Sequence, residues 1–261
     1  MSFSSARQEQ AFLGIPANTP QLRDECFRIR YQVYCVERQF EQQDHNPGGM
    51  ENDIYDDRSV HALMLHRASG VAVGTIRLVL HESGSRLGSL PFHAVCREPQ
   101  AHDREFLPLT ATAEVSRLAI SKARSLEVCH AFAGSEDGLG EDGPGYLALH
   151  VPVALGLLKM AVEMAASRSI QYFCAVMERS LLKMLRVYGI HLTSLGPLVP
   201  YHGLRQPCYG HIRTMMAALK ATRPDVWRLM RTMDASGVLG SLVAARANRR
   251  GERTVEGAGA T

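Results

Sequence analysis

The sequence predicts a single mixed α/β domain, and three observations carry that prediction. Helical and alternating apolar patterns follow one another in the order helix, strand hairpin, strand, long helix, strand, helix, strand pair. The composition, 46% hydrophobic and 21% charged, is that of an ordinary folded chain, and 261 residues can bury most of their apolar surface without covalent staples. No segment repeats another. The composition excludes a disordered tail protein, a collagen-like fibre and a small disulfide scaffold. With 29 Lys plus Arg against 26 Asp plus Glu the formal charge is only +3, without the concentrated basic charge of a nucleic-acid binder.

Residues 1–19 are polar with scattered apolar positions and read as an irregular lead-in or a short helix. The domain proper is expected over 20–240. Thr19-Pro20 is a helix start, with proline at the first helical position. Leu22, Cys26, Ile29, Val33 and Val36 then recur at helical spacing and mark the core-facing stripe of a helix over 20–37. Phe27, Arg30 and Tyr34 form an adjacent stripe. Residues 38–58 are a long loop bearing Glu41, Asp44, Glu51, Asp53, Asp56 and Asp57, and loops of such length are usually functional or mobile. Val60–Arg67 and Val71–Leu80 flank Ala68-Ser69-Gly70 as a hairpin, with Val73, Thr75, Arg77 and Val79 on one face. A buried arginine there requires a carboxylate partner.

A short helix is expected around Pro91–Cys96 and a third main strand over 111–120, ATAEVSRLAI. Alternation places Glu114, Ser116, Leu118 and Ile120 on one side and Val115, Arg117 and Ala119 on the other. Residues 121–145, rich in glycine and acid, read as an exposed loop. Gly145–Ser167 is apolar nearly all round and reads as a buried helix. A strand over 170–176, a helix over 178–188 closed by Gly189, strands over 190–199 and 206–213, and a helix over 214–233 broken at Arg223-Pro224 complete the domain. The tail, 241–261, is basic and expected to be disordered.

The cysteines Cys26, Cys35, Cys96, Cys129, Cys174 and Cys208 form no C-x-x-C pair and read as reduced thiols. Met1–Pro16 lacks the charge-then-apolar pattern of a secretory signal. The longest clean apolar run, Val151–Leu158, falls far short of the ~20 residues of a membrane span. A cytoplasmic location is expected, with peripheral membrane contact left open. The 11 histidines include no H-E-x-x-H pair, and no metal is expected. No G-x-S-x-G elbow is present.

Three pieces stand out as a set: Arg30-x-x-x-Tyr34 on the first helix; Glu51-x-Asp53-x-x-Asp56 in the acidic loop, followed by Arg77 on a strand; and Glu114-x-Ser116-Arg117 on the next strand. Each alone has an ordinary structural explanation. Their order and spacing together are more specific. The set, FRIRYQVY, ENDIYD, GTIRLVL and AEVSRLAI, resembles the acyl-homoserine-lactone synthases and the long-chain N-acyl amino acid synthases. By length and by EVSRLAI it looks most like the exosortase-associated acyltransferases found beside PEP-CTERM sorting systems in Gram-negative bacteria. The resemblance covers residues 20–120 well and 145–215 loosely.

The resemblance implies a GNAT-like N-acyltransferase fold, a mixed splayed sheet with an acyl-pantetheine arm in the gap between two central strands. It also implies acyl transfer from acyl carrier protein to an amine. Carried over position by position, Arg30, Glu51, Asp53, Asp56, Arg77, Glu114 and Arg117 match the family's polar network. Tyr34 stands where relatives have Phe, and Phe40 where lactone synthases have Trp. The second difference points away from adenosylmethionine and toward an amino acid or other small amine as acceptor.

Such a transfer needs a base for the ammonium, donors for the developing oxyanion, and reactants held in line. Glu114 is the first candidate for the base. Asp53 is the second, or else binds the acceptor ammonium. Arg77 is expected to pair with Asp56 or Glu114. Arg30 would bind an acceptor carboxylate or hold the acidic loop shut, and Ser116 would either touch a substrate or simply pack. For the donor, Gly138-Leu139-Gly140 and Gly143-Pro144-Gly145 lack the leading residue of a coenzyme A pyrophosphate loop. Glu136, Asp137, Glu141 and Asp142 would repel a pyrophosphate. A carrier-protein donor is therefore favoured over acyl-CoA, with docking candidates Lys122, Arg124, Arg179, Lys183, Arg186, Lys220, Arg223, Arg228 and Arg231. The apolar helix, with Met160 and Met164, is a candidate acyl-pocket wall. The alternatives are a coenzyme-A-dependent acetyltransferase, a lactone synthase, or an acyl-binding regulatory protein on the same fold.

Overall fold

A computed structural model describes residues 11–82, 90–133 and 144–232. The lead-in 1–10, the loop at 134–143 with its Gly-x-Gly and acidic positions, and the tail beyond 232 lie outside the described residues. An eight-stranded sheet forms the centre, in the order β1-β2-β3-β4-β5-β8-β6, with β7 on β8. The strands are β1 (Phe12–Pro16), β2 (Ser59–His66), β3 (Ala72–Val79), β4 (Thr112–Ile120), β5 (Tyr172–Glu178), β6 (Thr193–Ser194), β7 (Val199–Pro200) and β8 (Leu204–His211). Neighbours are antiparallel except β4 and β5.

β1 corrects the expectation of an irregular lead-in. Phe12, Leu13 and Ile15 are buried and pair along β2. The run does not alternate because helices cover both faces of this edge strand. At Gly14 an added Cβ would come within 2.5 Å of Met160 Sδ, so the missing side chain lets a helix lie close over the strand.

The first helix, α1 (Pro20–Tyr31), is capped by Thr19, whose hydroxyl accepts from Leu22 N–H at 3.3 Å. It runs into a π-helical segment, Gln32–Glu37, marked by the bond from Arg38 N–H to Val33 O at 2.9 Å. The widened turn shifts the register, burying Cys35 and leaving Val36 39% exposed, contrary to the predicted stripe. α1 covers one face of the sheet over Leu13, Ile15, Leu63 and Ala119. Short helices α2 (Pro91–Val95) and α3 (Pro99–His102) follow β3. α4 (Lys122–Ala133) replaces the first half of the predicted loop at 121–145. Its start is fixed by Glu37, whose carboxylate accepts from Ser121 Oγ and from the backbone N–H of Lys122 and Ala123.

α5 (Pro144–Ala166) covers the opposite face over Ile76, Leu78 and Val115. α6 (Arg179–Val187) follows β5, and α7 (Ile212–Thr222) and α8 (Pro224–Thr232) complete the chain, with the predicted break at Arg223-Pro224. The strand expected over 190–199 shrinks to the two-residue β6 and β7. No helix among the described residues is long and apolar enough to cross a membrane. All six cysteines are buried and free.

Two irregularities in the sheet create the site. The parallel pairing of β4 with β5 runs only from Thr112 opposite Tyr172 to Glu114 opposite Cys174, after which the strands diverge. In the β3–β4 ladder Thr75 pairs with Ala119 but Arg77 pairs with Ser116, so β4 carries one extra residue. This bulge holds Arg117 at φ 49°, and Arg117 and Leu118 have no partner in either neighbouring register.

The bulge also overturns the predicted alternation. Arg117 and Ala119 join Glu114 and Ser116 on the α1 face, while Leu118 and Ile120 cross to the α5 face with Val115. A bulge between Met64 and Leu65 moves Val73 off the Arg77 face in the same way.

Candidate functional site

The acidic loop, with the one-turn helices Gln43–His45 and Asp56–Arg58, is fastened to the α1 face of the sheet. Arg30 is fully buried and spends every guanidinium nitrogen on the loop. Its Nε donates to Glu51 Oε2 at 2.5 Å, and Nη1 and Nη2 donate to the two Asp56 oxygens at 2.7 and 3.0 Å. Arg77 donates through Nη1 to Asp53 Oδ1 at 2.6 Å and Asp56 Oδ1 at 2.9 Å, and through Nε to Ser116 Oγ at 3.0 Å. Arg117 donates through Nη2 to Glu51 Oε1 at 2.9 Å and Asp53 Oδ2 at 3.1 Å. Within the loop Asp56 accepts from Asp53 N–H and Asp53 from Tyr55 N–H. Glu51, Asp53 and Asp56 thus balance Arg30, Arg77 and Arg117, which is how charges survive burial.

The sequence-predicted residues therefore converge; for Arg30 and Arg77 the geometry selects one of the two expected partners, and for Arg117 it corrects the expected side. Arg30 holds the loop and has no nitrogen left for an acceptor carboxylate. Arg77 pairs with Asp53 and Asp56 and makes no ion pair with Glu114. Arg117 lies on the Glu114 side, through the bulge. Asp53 is shared by two guanidinium groups and its side chain is 25% exposed. Tyr34, brought over β4 by the π segment, donates its hydroxyl to Leu118 O at 3.3 Å and lies under the Arg117 guanidinium, 5.6 Å from the ring centre.

Glu114 stands apart from the network. It is buried, 4% exposed, and Oε2 accepts from the Phe92 backbone N–H at 2.6 Å. Burial pushes its carboxyl up to about 7, against the pull of that bond and of the Arg77 and Arg117 charges. Glu51 and Asp56 go the other way. Burial raises them too, but the Arg30 contacts and the neighbouring guanidinium charges outweigh it and hold both below the ordinary carboxylate range. His61 packs edge-on to Phe27 with Nε2 3.6 Å from Asp56 Oδ1, and burial lowers it to about 4.

The depressed pair predicts the acid limb of stability. Its contribution is complete above the unfolded carboxylate values near 4 and is lost progressively from there as pH falls through the lower folded values. The melting temperature is expected to fall steeply below about pH 4, and less steeply in Asp56→Asn, where one titrating partner is gone. Equal slopes for variant and wild type would contradict this reading.

Two cavities adjoin the network. One, about 280 Å³, fills the gap between β4 and β5, walled by Leu118, Ile120, Met177, Ser180, Leu181 and Met184. The other, about 80 Å³, has Glu114 and Arg77 in its wall along with Glu41, Tyr201 and His202. They share Tyr34, Phe40, Val115, Ser116, Arg117, Val176 and Arg205. The larger lies where β4 and β5 diverge. The smaller has both polar and apolar walls and includes Glu114, whose carboxyl burial pushes up to about 7.

Phe40, singled out in the sequence, lines both cavities and has the Arg38 and Arg205 guanidinium groups at 6.0 and 5.6 Å from its ring centre. Other lining residues escaped sequence reasoning. Arg205, Tyr201 and His202 belong to the β7–β8 hairpin, which nothing local in the sequence ties to residues 34–41. Of the docking candidates, Arg124 is occupied by Glu25 and the Ala72 carbonyl, and Arg223 by Asp225 and the Val187 carbonyl. Arg179, Lys183 and Arg186 lie exposed along α6, beside the cleft-lining Leu181 and Met184. Lys220 and Arg228 are exposed elsewhere, Lys122 contributes its backbone N–H to Glu37, and the Arg231 side chain lies outside the described residues. Among the described residues, no His, Cys, Asp or Glu cluster is placed to hold a metal.

The comparisons agree with this fold. Residues 29–128 match the acetyltransferase (GNAT) domain. The crystal structure of TofI in a ternary complex with an inhibitor and MTA is 22% identical, covers 82% of this chain and 99% of its own, and superposes with a TM-score of 0.55. The CoA-dependent acyl-homoserine lactone synthase BjaI with MTA is 20% identical over 87% of this chain and 90% of its own, TM-score 0.52. FeeM, an N-acyl amino acid synthase from uncultured soil microbes, is 14% identical over 80% and 95%, TM-score 0.50. No curated protein matches by sequence. The fold is GNAT-like, and the splayed sheet implied by the family resemblance is present.

Proposed function

We propose that the chain is an N-acyltransferase that moves a long acyl group from acyl carrier protein to the amine of a small acceptor. One observation carries the reading: a buried carboxyl near neutrality, Glu114, lines the polar pocket that shares a wall with the gap between β4 and β5. The donor's pantetheine arm enters the gap with its thioester at the shared wall. Glu114 takes a proton from the acceptor ammonium, and the free amine attacks the thioester carbonyl. Backbone N–H groups at the β4 bulge, outside the ladder, stabilise the oxyanion. The C–S bond then breaks, the nitrogen gives up its second proton to the departing sulfur, and the carrier leaves as the free thiol with a neutral amide as the other product. Asp53, held by Arg77 and Arg117, positions the loop over the pocket.

A carrier-protein donor is supported by the exposed Arg179, Lys183 and Arg186 beside the gap and by Glu136, Asp137, Glu141 and Asp142 in the sequence. Acyl-CoA is the competing donor, as BjaI is a CoA-dependent enzyme on this fold. The likeness of EVSRLAI and of chain length to exosortase-associated acyltransferases supports a role beside such sorting systems.

The test is purified protein with matched long-chain acyl carrier protein and acyl-CoA, each with an amino acid mixture, read by thiol release and amide formation. Faster turnover of the carrier-bound chain is expected. Turnover with acyl-CoA alone selects the competing donor, and no amide from either donor removes the function.

A further inference from the structure

With Arg30 consumed by the acidic loop, the question of what reads the acceptor passes to the smaller cavity. Its lining guanidinium groups are Arg77, Arg117 and Arg205. Arg77 is buried, and its bonds go to Ser116, Asp53 and Asp56. Arg205 is held from several sides. Its Nε donates to Tyr201 O at 2.7 Å, Nη2 donates to His202 O and pairs with Glu178 at 3.2 Å, and its plane lies against Phe40. Those contacts fix the fork while Nη1 has no partner among the described residues. Arg117 is similar: Nε and Nη2 are bound to Glu51 and Asp53, Nη1 has no described partner, and the side chain is 16% exposed, as is that of Arg205.

The carboxylates around the same space are differently placed. Glu41 faces His202 at 3.6 Å and Glu178 faces Arg205. Glu114 alone has no cationic side chain bonded to it. The pocket is therefore lined by two immobilised guanidinium groups, each with one nitrogen unbonded among the described residues, and by one carboxyl without a bonded cation. A molecule with acceptor oxygens and an amine a few bonds apart complements both, and a planar fork suits a carboxylate best. At about 80 Å³ the space takes the head of a small molecule and not a second chain.

Resting on the acyl-transfer reading, we propose that Arg205, with Arg117 as second donor, binds a carboxylate carried by the acceptor, so that the acceptor's amine meets Glu114. Arg205 is then a specificity-determining residue contributed by the β7–β8 hairpin.

The experiment compares, in the wild type, the acylation of several α-amino acids with that of their decarboxylated amines and their methyl esters, using one fixed thioester donor. The free acids are expected to be favoured by about 10- to 100-fold in kcat/KM, through KM, the span of a lost charged hydrogen bond. Arg205→Gln is expected to shrink that ratio by a similar factor, and Arg205→Lys to shrink it less. Melting curves accompany both variants, and if Arg205→Gln does not fold, the wild-type ratio decides. Equal use of acids and decarboxylated amines by the wild type overturns the inference and leaves acyl transfer standing. Acylation of no amine at all removes the acyl-transfer reading, and this inference with it.

Discussion

Glu114→Gln is expected to lower kcat by about 10²- to 10⁴-fold, the usual worth of a positioned base, and at the same time to raise the melting temperature at pH 8. Both effects have one cause. Burial lifts the carboxyl from its ordinary value of 4.5 to about 7, so the folded protein prefers the protonated form. Stability from this group is complete below the unfolded value and is lost as pH rises through the folded one. Above about pH 7 the wild type carries a penalty that a shift of this size puts at about 3 kcal/mol at most. Glutamine keeps an oxygen for the Phe92 N–H and carries no charge, so the variant escapes the penalty and loses the base.

The comparison must be made as a difference. His61, lowered by burial to about 4, loses stability as pH falls from about 6.5, over much of the range where Glu114 gains it, so the wild-type profile alone nearly cancels. The gap between variant and wild type is expected to open from about pH 4.5 and level off above pH 7. A variant that is fully active, or less stable at pH 8 than at pH 4.5 relative to wild type, contradicts the role given to Glu114.

The second large effect is expected from Arg30→Ala. Arg30 satisfies Glu51 and both oxygens of Asp56 at zero exposure. Removing it leaves three buried carboxylates against two guanidinium groups, with Glu51 held by Arg117 alone and Asp56 by Arg77 alone, a change of about 3–5 kcal/mol. For a domain of this size the fall in melting temperature is on the order of 10 °C. Lysine does not restore it, because a single ammonium cannot meet Glu51 and the two Asp56 oxygens in their fixed plane. Activity should fall with the folded fraction, and also in the folded protein as the loop leaves the pocket. A melting temperature within a few degrees of wild type would show that the network is ornamental to the fold.

The helix over residue 30, the hairpin and the strand over 114 were legible as elements because most of each keeps one period, which the π segment and the two bulges break only locally. The polar set was legible as a set, since Arg30, Glu51, Asp53, Asp56, Arg77, Glu114 and Arg117 keep a recognisable order along the chain. Its wiring was not. Whether Arg117 points with Glu114 or against it depends on one extra residue in β4, and a bulge is fixed by the neighbouring strand, here Thr75 and Arg77. β1 hid because a strand covered on both faces has no alternation to read. α4 hid because its start depends on Glu37, a residue of the first helical region folded against it. The pocket wall from Tyr201, His202 and Arg205 carries no local signal, since the hairpin reaches Phe40 and Glu41 only in three dimensions.

The central claim is that a thioester-borne acyl chain is handed to an amine beside Glu114. Mass spectrometry of lipids from cells overproducing either the wild type or Glu114→Gln at equal protein level tests it without presupposing the acceptor. The account predicts a new acylated amine, most simply an N-acyl amino acid, abundant with the wild type and reduced at least about 100-fold with the variant. Identical lipid profiles from the two strains, or an acylated amine undiminished by the substitution, would contradict it.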